Sequence, residues 1–517
     1  MLVISNLSYA LPNGDALFSN LSFSCSQSDR ISAVIGRNGI GKSTLLQCIA
    51  NQMSGVNICG TIQTYQQISV DEVHDLRVID ALGLGQYFDA LKRVENGTLF
   101  NTDIDLLEHH WDVIERAEQW LKAANLPLEL TQPLQQLSGG QRVKTRLVGL
   151  LKQAPDVLLL DEPTNHLDQA STQWLIAKLQ KTNSAVLLVS HDRQLLRSVQ
   201  RFLVLDEHGI TPYNMDFESL RALLTKQHED RQNAIIDAKY RLKKERQAQQ
   251  AREQKAEQRQ RKGEAKRQAG SQSKLLLDRK KDKAQVHNGA QKRLAEQRHQ
   301  SLTANLHQHQ SQRTNVCHLK LSLSSQPKGK HRVLDIIEGI LPYGDRTPIT
   351  LSLDRGERLR LEGPNGSGKS TLIQCIQGEL QLSSGHLIRH GKTLYLDQHL
   401  SILDQFSSTF ELFQRFLPEL DPSTVRTFLA TIGLRGDRVF LPCCQLSGGE
   451  RMKAAVLLIS LLSSEALLIL DETDNHLDLD SQDQLAAILE GYQGALIFAS
   501  HQEKWIRTDK VIRLSTS

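Results

Sequence analysis

Two stretches of this 517-residue chain carry residue types at spacings that suit phosphate chemistry. One is Gly36-Arg-Asn38-Gly39-Ile-Gly41-Lys42-Ser43-Thr44, and the other is Gly363-Pro-Asn365-Gly366-Ser-Gly368-Lys369-Ser370-Thr371. Both read G-x-x-x-x-G-K-S-T. Each follows an apolar run that predicts a strand and opens a helical pattern, which is the context the motif requires. Small glycines let successive backbone N–H groups close around phosphate oxygens at a helix N-terminus. Lys42 and Lys369 supply positive charge for the β- and γ-phosphates, and the hydroxyls of Ser43 and Ser370 suit Mg²⁺. A chance glycine-rich turn explains one such match. It does not explain two.

The repetition continues downstream. Leu137-Ser138-Gly139-Gly140-Gln141 is matched by Leu446-Ser447-Gly448-Gly449-Glu450. Apolar strands then end in paired acids, Asp161-Glu162 and Asp471-Glu472, each followed within a few residues by Asn-His-Leu-Asp. A further apolar run ends in Ser190-His191 and again in Ser500-His501. Asp161 and Asp471 are 310 residues apart, as are His191 and His501. A repeat held in register over this length means two copies of one domain. A carboxylate at the end of a buried strand is fixed in place, and phosphoryl transfer depends mainly on positioning and charge stabilisation.

With the Leu-Ser-Gly-Gly-Gln signature beside a P-loop, the chain resembles the ATP-binding cassette ATPases. Two cassettes without a membrane domain, and Asn-His-Leu-Asp after both acidic strands, make it similar to the ABC-F subfamily, whose members act mostly on ribosomes. The resemblance implies two α/β cassettes, each with a β-subdomain and a helical subdomain. It implies that Asp161 and Asp471 hold Mg²⁺, that Glu162 and Glu472 polarise the attacking water, and that His191 and His501 sense the γ-phosphate. Gln67 and Gln398 would be the Q-loop residues beside the ion, and Tyr9 would stack on adenine. Tyr343 is the second-half candidate for stacking, with a core or turn tyrosine as the alternative. ATP would sit between the P-loop of one half and the signature of the other. One site would then combine Lys42, Glu162 and His191 with Ser447, Gly448 and Gly449. The other would combine Lys369, Glu472 and His501 with Ser138, Gly139 and Gly140. The second half reads Asp471-Glu-Thr-Asp-Asn475 where the first reads Asp161-Glu-Pro-Thr-Asn165, and Gln502 follows the second histidine where Asp192 follows the first. Neither difference removes a catalytic group, so both sites are expected to hydrolyse ATP.

What must position these residues is a tandem α/β architecture: one ATPase domain over residues 1–215, a linker over 216–312, and a second ATPase domain over 313–517. The distance from the first P-loop glycine to the signature is 101 residues in the first half and 83 in the second, so the first carries an insertion between Ile68 and Gln136. The linker differs sharply from its flanks. Between Arg221 and Gln300 there are 23 Lys and Arg against 10 Asp and Glu, whereas the whole chain carries only +4. No aromatic residue lies between Tyr240 and Tyr343, so an ordinary core cannot form there. The expected structure is a basic helical hairpin: a first helix from Phe217 to Ala269, a turn at Gly270–Ser273, and a second helix from Lys274 to Gln310. A solvated helical spacer is the plainer reading, but a spacer need not be this basic, and the charge points to a polyanion bound through phosphate contacts. The family resemblance gives that partner as the ribosome, with its large-subunit rRNA and P-site tRNA. A seven-cysteine chain without metal-ligand spacing, signal peptide or apolar run long enough to span a bilayer fits the cytoplasm and a monomer whose cassettes pair within the chain. The rival function is the ATPase subunit of a membrane importer, which predicts a short neutral linker.

Overall fold

The computed structural model describes residues 1–517 except 13, 27–28, 30, 67–75, 98–99, 269–302, 304–330, 392, 398–402, 404–405, 447, 462–466, 474–476, 501–505 and 516–517. Met1–Phe217 and His318–Ser517 form one compact unit, and Glu218–Cys317 form another. The first unit contains both cassettes, and the same topology appears in it twice.

In the first cassette, the apolar runs become β3 (Ile31–Ile35), β6 (Val157–Asp161) and β7 (Ala185–Val189). They are buried almost throughout because they lie inside a parallel sheet covered on both faces, which is why they read as continuous apolar runs without alternation. With β5 (Ile62–Tyr65), β8 (Arg201–Asp206) and β9 (Gly209–Asn214) the sheet order is β5-β6-β7-β3-β8-β9. A smaller antiparallel sheet packs β1 (Leu2–Ala10) between β2 (Ala16–Cys25) and β4 (Val56–Ile58).

The second cassette repeats both layers. Its main sheet runs β14 (Thr393–Leu396), β15 (Leu467–Asp471), β16 (Ala495–Ala499), β12 (Arg358–Glu362), β17 (Lys510–Arg513). Its antiparallel sheet places β10 (Arg332–Ile340) between β11 (Ile349–Asp354) and β13 (Ser384–Arg389). The registers correspond: Ile35 pairs with Val204, and Glu362 pairs with Arg513, so each P-loop leaves its sheet from the same place.

The insertion in the first cassette appears as extra helix. Its helical subdomain holds Gly85–Glu95, Asn101–Leu107 and Val113–Ala123, against Thr409–Phe416 and Pro422–Thr431 in the second. In the second unit, the helix Phe217–Gln268 runs 52 residues, about 78 Å at 1.5 Å per residue. The expected first linker helix is helical over its described residues, up to Gln268. The expected turn and second linker helix lie outside the described residues.

Candidate nucleotide sites

Each P-loop is shaped by what its neighbours leave open. A Cβ at Gly36 would stand 2.5 Å from the Leu205 carbonyl, and one at Gly363 would stand 2.5 Å from the Leu514 carbonyl. Gly41 and Gly368 cap the following helices at φ 99° and 100°, a left-handed conformation that costs a side-chain-bearing residue about 1 kcal/mol. Those helices, Lys42–Ala50 and Lys369–Gln377, point their first N–H groups into the loop. Lys42 Nζ donates to the carbonyls of Gly36 at 2.8 Å and Arg37 at 3.0 Å, and Lys369 Nζ donates to Gly363 at 2.7 Å and Pro364 at 3.1 Å. Both lysines are buried, and burial draws their ammonium pKa down.

The strand-end acids meet these loops. Glu162 and Glu472 both adopt positive φ, 47° and 48°, and both donate their N–H to the end of the neighbouring strand, at Val189 and Ala499. The bend aims each carboxylate away from its own strand. Around Glu162, the His191 N–H donates to Oε2 at 3.3 Å and His191 Nε2 lies 3.4 Å from Oε1. Burial pushes the Glu162 carboxyl up to about 8 against the opposing pull of Lys42, and burial lowers His191 to about 3. A neutral histidine and a carboxylate with a raised proton affinity, held over an ammonium group, can hold and move a proton beside a phosphate.

Asp161 accepts a hydrogen bond from Ser43, and burial raises its carboxyl. Its Oδ1 is buried without a hydrogen-bond partner among the described residues. In the second site, Ser370 Oγ donates to Asp471 Oδ2 at 3.5 Å and Tyr395 Oη donates to the same oxygen at 3.3 Å. Burial, reinforced by Glu472, raises Asp471 to about 6. A hydroxyl and a strand-end carboxylate with open oxygen sites form a hard-oxygen set that fits Mg²⁺.

A cavity of about 450 Å³ gathers Asn38, Gly39, Gly41, Lys42, Ser43 and Thr44 with Glu162 and His191. Leu11, Leu17 and Val189 give it an apolar part of its lining. Tyr9 does not line it: its ring lies 6.0 Å from Phe18, half-buried against the cassette core. Tyr343 is 69% exposed, on the turn after β10. A second cavity, about 330 Å³, joins Gly363, Lys369 and Ser500 to Asp168, Gln169 and Ala170 of the first cassette.

The cassettes touch at these sites. Asn365 Nδ2 donates to the His166 carbonyl at 2.8 Å, and a Cβ on Gly140 would lie 2.7 Å from Asn365 Nδ2. The first signature therefore faces the second P-loop. Ser138 and Gln141 form a reciprocal capping box on the helix Gly139–Lys152, so the signature is also a helix start, with Gly140 turned to the partner loop. Reciprocally, the Asn38 N–H donates to Asp478 Oδ2 at 3.0 Å, while the other Asp478 oxygen caps the helix Leu479–Gly491 through the Ser481 N–H at 2.9 Å. Gly448 and Gly449 open the helix Gly448–Leu461. Gln67, Gln398, Ser447 and His501 lie outside the described residues. Sequence reasoning missed Leu11, Leu17 and Tyr395, and met Asp478 only as the last residue of the repeated Asn-His-Leu-Asp, without its contact to Asn38.

The ABC transporter family model matches residues 18–165 and again 347–475. The chain belongs to the ATP-binding cassette family, in its ABC-F branch. Its relatives have the same tandem form. The putative ATP-binding protein YdiF of Bacillus subtilis (strain 168) is 31% identical, with 100% of this chain and 80% of that protein aligned. The ribosome protection protein VmlR of the same strain is 28% identical over 98% of this chain and 85% of its own. The ATP-binding protein Uup of Escherichia coli (strain K12) is 28% identical over 95% of this chain and 76% of its own. A solved structure of RNase-L Inhibitor superposes with a TM-score of 0.51 at 17% identity, covering 96% of this chain and 85% of that one, and shares the fold. This ABC-F chain binds ATP and is an ATP hydrolase. Among the described residues, no helix is long and apolar enough to cross a membrane.

Proposed function

We propose that this chain is an ATP-operated clamp that binds the ribosome with its cassettes closed on ATP and leaves when ATP is hydrolysed. The observation that carries this reading is the pairing of each P-loop with the opposite cassette, through Asn365 with His166 and Asn38 with Asp478, in a chain whose linker helix is strongly basic. ATP held at such an interface binds the closed form better than the open one, which makes closure a two-state switch. VmlR, by its name a ribosome protection protein, is a relative across nearly the whole chain and supports the choice of partner.

In this reading Ser43 with Asp161, and Ser370 with Asp471, hold Mg²⁺, with Gln67 and Gln398 completing its surroundings. The ion's chemistry there is to neutralise charge on the β- and γ-phosphate oxygens. Glu162 and Glu472 orient the attacking water and take up its proton. His191 and His501 hold their position against the γ-phosphate. The linker meets RNA through Lys and Arg contacts to phosphates, without sequence readout and with strong salt dependence. Its target is the P-site tRNA and nearby large-subunit rRNA, the outcome is a change in translation or protection from a ribosome-directed antibiotic, and the work is done in the cytoplasm.

The test is co-sedimentation of the full chain carrying Glu162→Gln and Glu472→Gln with purified 70S ribosomes or 50S subunits in ATP. ATP-dependent pelleting that weakens steeply with salt is the expected result. No pelleting at low salt, with ATP binding intact, would overturn the proposal and return the importer subunit as the better reading. Deleting residues 249–291 should keep ATP binding and abolish the effect on translation.

A further inference from the structure

The two nucleotide sites differ in the turn that follows the first strand of each cassette, and the difference begins in matching sequence. The turn after β1 reads Leu11-Pro-Asn-Gly-Asp15, and the turn after β10 reads Leu341-Pro-Tyr-Gly-Asp345. In the first site Leu11 is 37% exposed and lines the cavity, and the Leu17 side chain lies over Gly41. In the second site Leu341 is only 1% exposed, and the turn itself lies on the P-loop. A Cβ at Gly368 would meet the Tyr343 carbonyl at 2.9 Å and Leu341 Cδ1 at 3.0 Å, and a Cβ at Gly344 would meet Gly368 Cα at 2.6 Å.

One residue holds the second turn down. The Asp345 N–H donates to the Ser367 carbonyl inside the P-loop at 3.0 Å. Its Oδ1 accepts from Thr347 N–H at 2.9 Å and Thr347 Oγ1 at 2.8 Å, a local turn-forming pattern for Asp. Its Oδ2 accepts from the N–H of Ser515 at 2.7 Å and from Ser515 Oγ at 3.0 Å. Hydrogen bonds from the Ser515 and Thr347 backbone hold this carboxyl far below the usual carboxylate range. Ser515 stands two residues after Arg513, the partner of Glu362 beside the second P-loop; the same step from Val204, the partner of Ile35, reaches Asp206. The second cassette sets the Ser515 N–H and hydroxyl against the turn's aspartate, and the first carries the carboxylate of Asp206 at the corresponding sequence position. A donor can bond a carboxylate, whereas two carboxylates repel.

We infer that the Leu341–Asp345 turn, pinned by Asp345 to Ser515, covers the base-binding end of the second nucleotide site, so that this site takes up ATP only when the turn lifts while the first accepts it directly. Asp345 and Ser515 are positioning residues in this scheme. A site whose competent form is only fractionally populated shows an affinity reduced by that fraction, and a matching delay in uptake when lifting is slow.

The experiment follows uptake of a methylanthraniloyl-labelled ATP by stopped-flow fluorescence, in the full chain carrying Lys42→Ala so that the second site is read alone. Ser515→Asp, which copies Asp206, should speed association or tighten binding by about tenfold. Ser515→Ala keeps the backbone bond and loses the hydroxyl, so it should fall between wild type and Ser515→Asp. In the Lys369→Ala chain, which reads the first site, neither Ser515 variant should change uptake. Slower, weaker or unchanged uptake by the second site in both variants would overturn the inference. Should Ser515→Asp fail to fold, Ser515→Ala decides in the same way.

Discussion

The pair Gly140→Ala and Gly139→Ala isolates the contact between the first signature and the second P-loop. Both glycines lie in the first turn of the helix Gly139–Lys152, neither has positive φ, and alanine is preferred over glycine in a helix by about 1 kcal/mol. Judged within one cassette, then, both substitutions are mild. Across the interface they differ. A methyl at Gly139 meets nothing closer than His166 Cβ at 3.5 Å, an ordinary contact. A methyl at Gly140 falls 2.7 Å from Asn365 Nδ2 and 2.8 Å from the His166 carbonyl. The asparagine can swing away, but the carbonyl is backbone, and moving either breaks the 2.8 Å hydrogen bond between them. Overpacking costs about 1–3 kcal/mol and a lost hydrogen bond about 0.5–1.5 kcal/mol. Together these weaken the closed state by about 2–4 kcal/mol, or about 30- to 1000-fold in the closure equilibrium. Steady-state ATP hydrolysis in a chain carrying Glu162→Gln, which leaves the second site active, should fall by that order with Gly140→Ala and by less than about threefold with Gly139→Ala. Equal effects of the two substitutions, or full activity with Gly140→Ala, would refute the assignment of this signature to the opposite P-loop.

Three further outcomes follow from the same contacts. Arg193 and Asp483 form an ion pair between the cassettes, with half-exposed side chains; such a pair is worth up to about 1 kcal/mol. Arg193→Asp or Asp483→Arg should lower ATP turnover by a few-fold and the exchanged double variant should restore it, whereas two additive losses would count against a cross-cassette role. Leu159 is fully buried between the sheet and the P-loop helix, so Leu159→Ala should cost about 2–5 kcal/mol in denaturant unfolding of the first cassette, and a loss under 1 kcal/mol would contradict that packing. Asp345 has a folded pKa below its unfolded value of about 3.9, so its stabilisation is present above that pH and is lost as the pH falls through the folded value. Asp345→Asn should therefore lower the melting temperature at pH 6 and shrink the drop in melting temperature between pH 6 and pH 3.5. An equal drop in variant and wild type would show that the carboxylate carries no such linkage.

Much of this molecule is determined locally and was therefore legible in the sequence. A P-loop is a strand end, a glycine turn and a helix start, all within nine residues, so its position and chemistry follow from the motif alone. Buried parallel strands leave unbroken apolar runs, and the strands at Ile31–Ile35 and Val157–Asp161 lie where those runs stand. The long helix from Phe217 runs through a stretch without proline, so its course as far as Gln268 was readable, while its first turn is buried through Phe217 and Leu220.

Contacts made by a backbone atom or by an aliphatic side chain from another layer have no such signature. The Tyr9 ring lies 6.0 Å from that of Phe18, and the cavity lining includes Leu11 and Leu17, two aliphatic residues that no motif marks. Nothing in the motif tells that Gly140 meets a carbonyl 26 residues further along its own cassette and an asparagine of the other, or that Asp478 spends one oxygen on its helix and one on the Asn38 amide. The two turns beginning Leu-Pro differ in sequence by one residue before their aspartates, yet one is exposed and the other lies on its P-loop. The deciding partner is Ser515 against Asp345, 170 residues apart. Spacing along the chain sets which groups can do chemistry, while only folding decides which distant donor reaches them, because a hydrogen bond is made within about 3 Å and sequence separation does not constrain that distance.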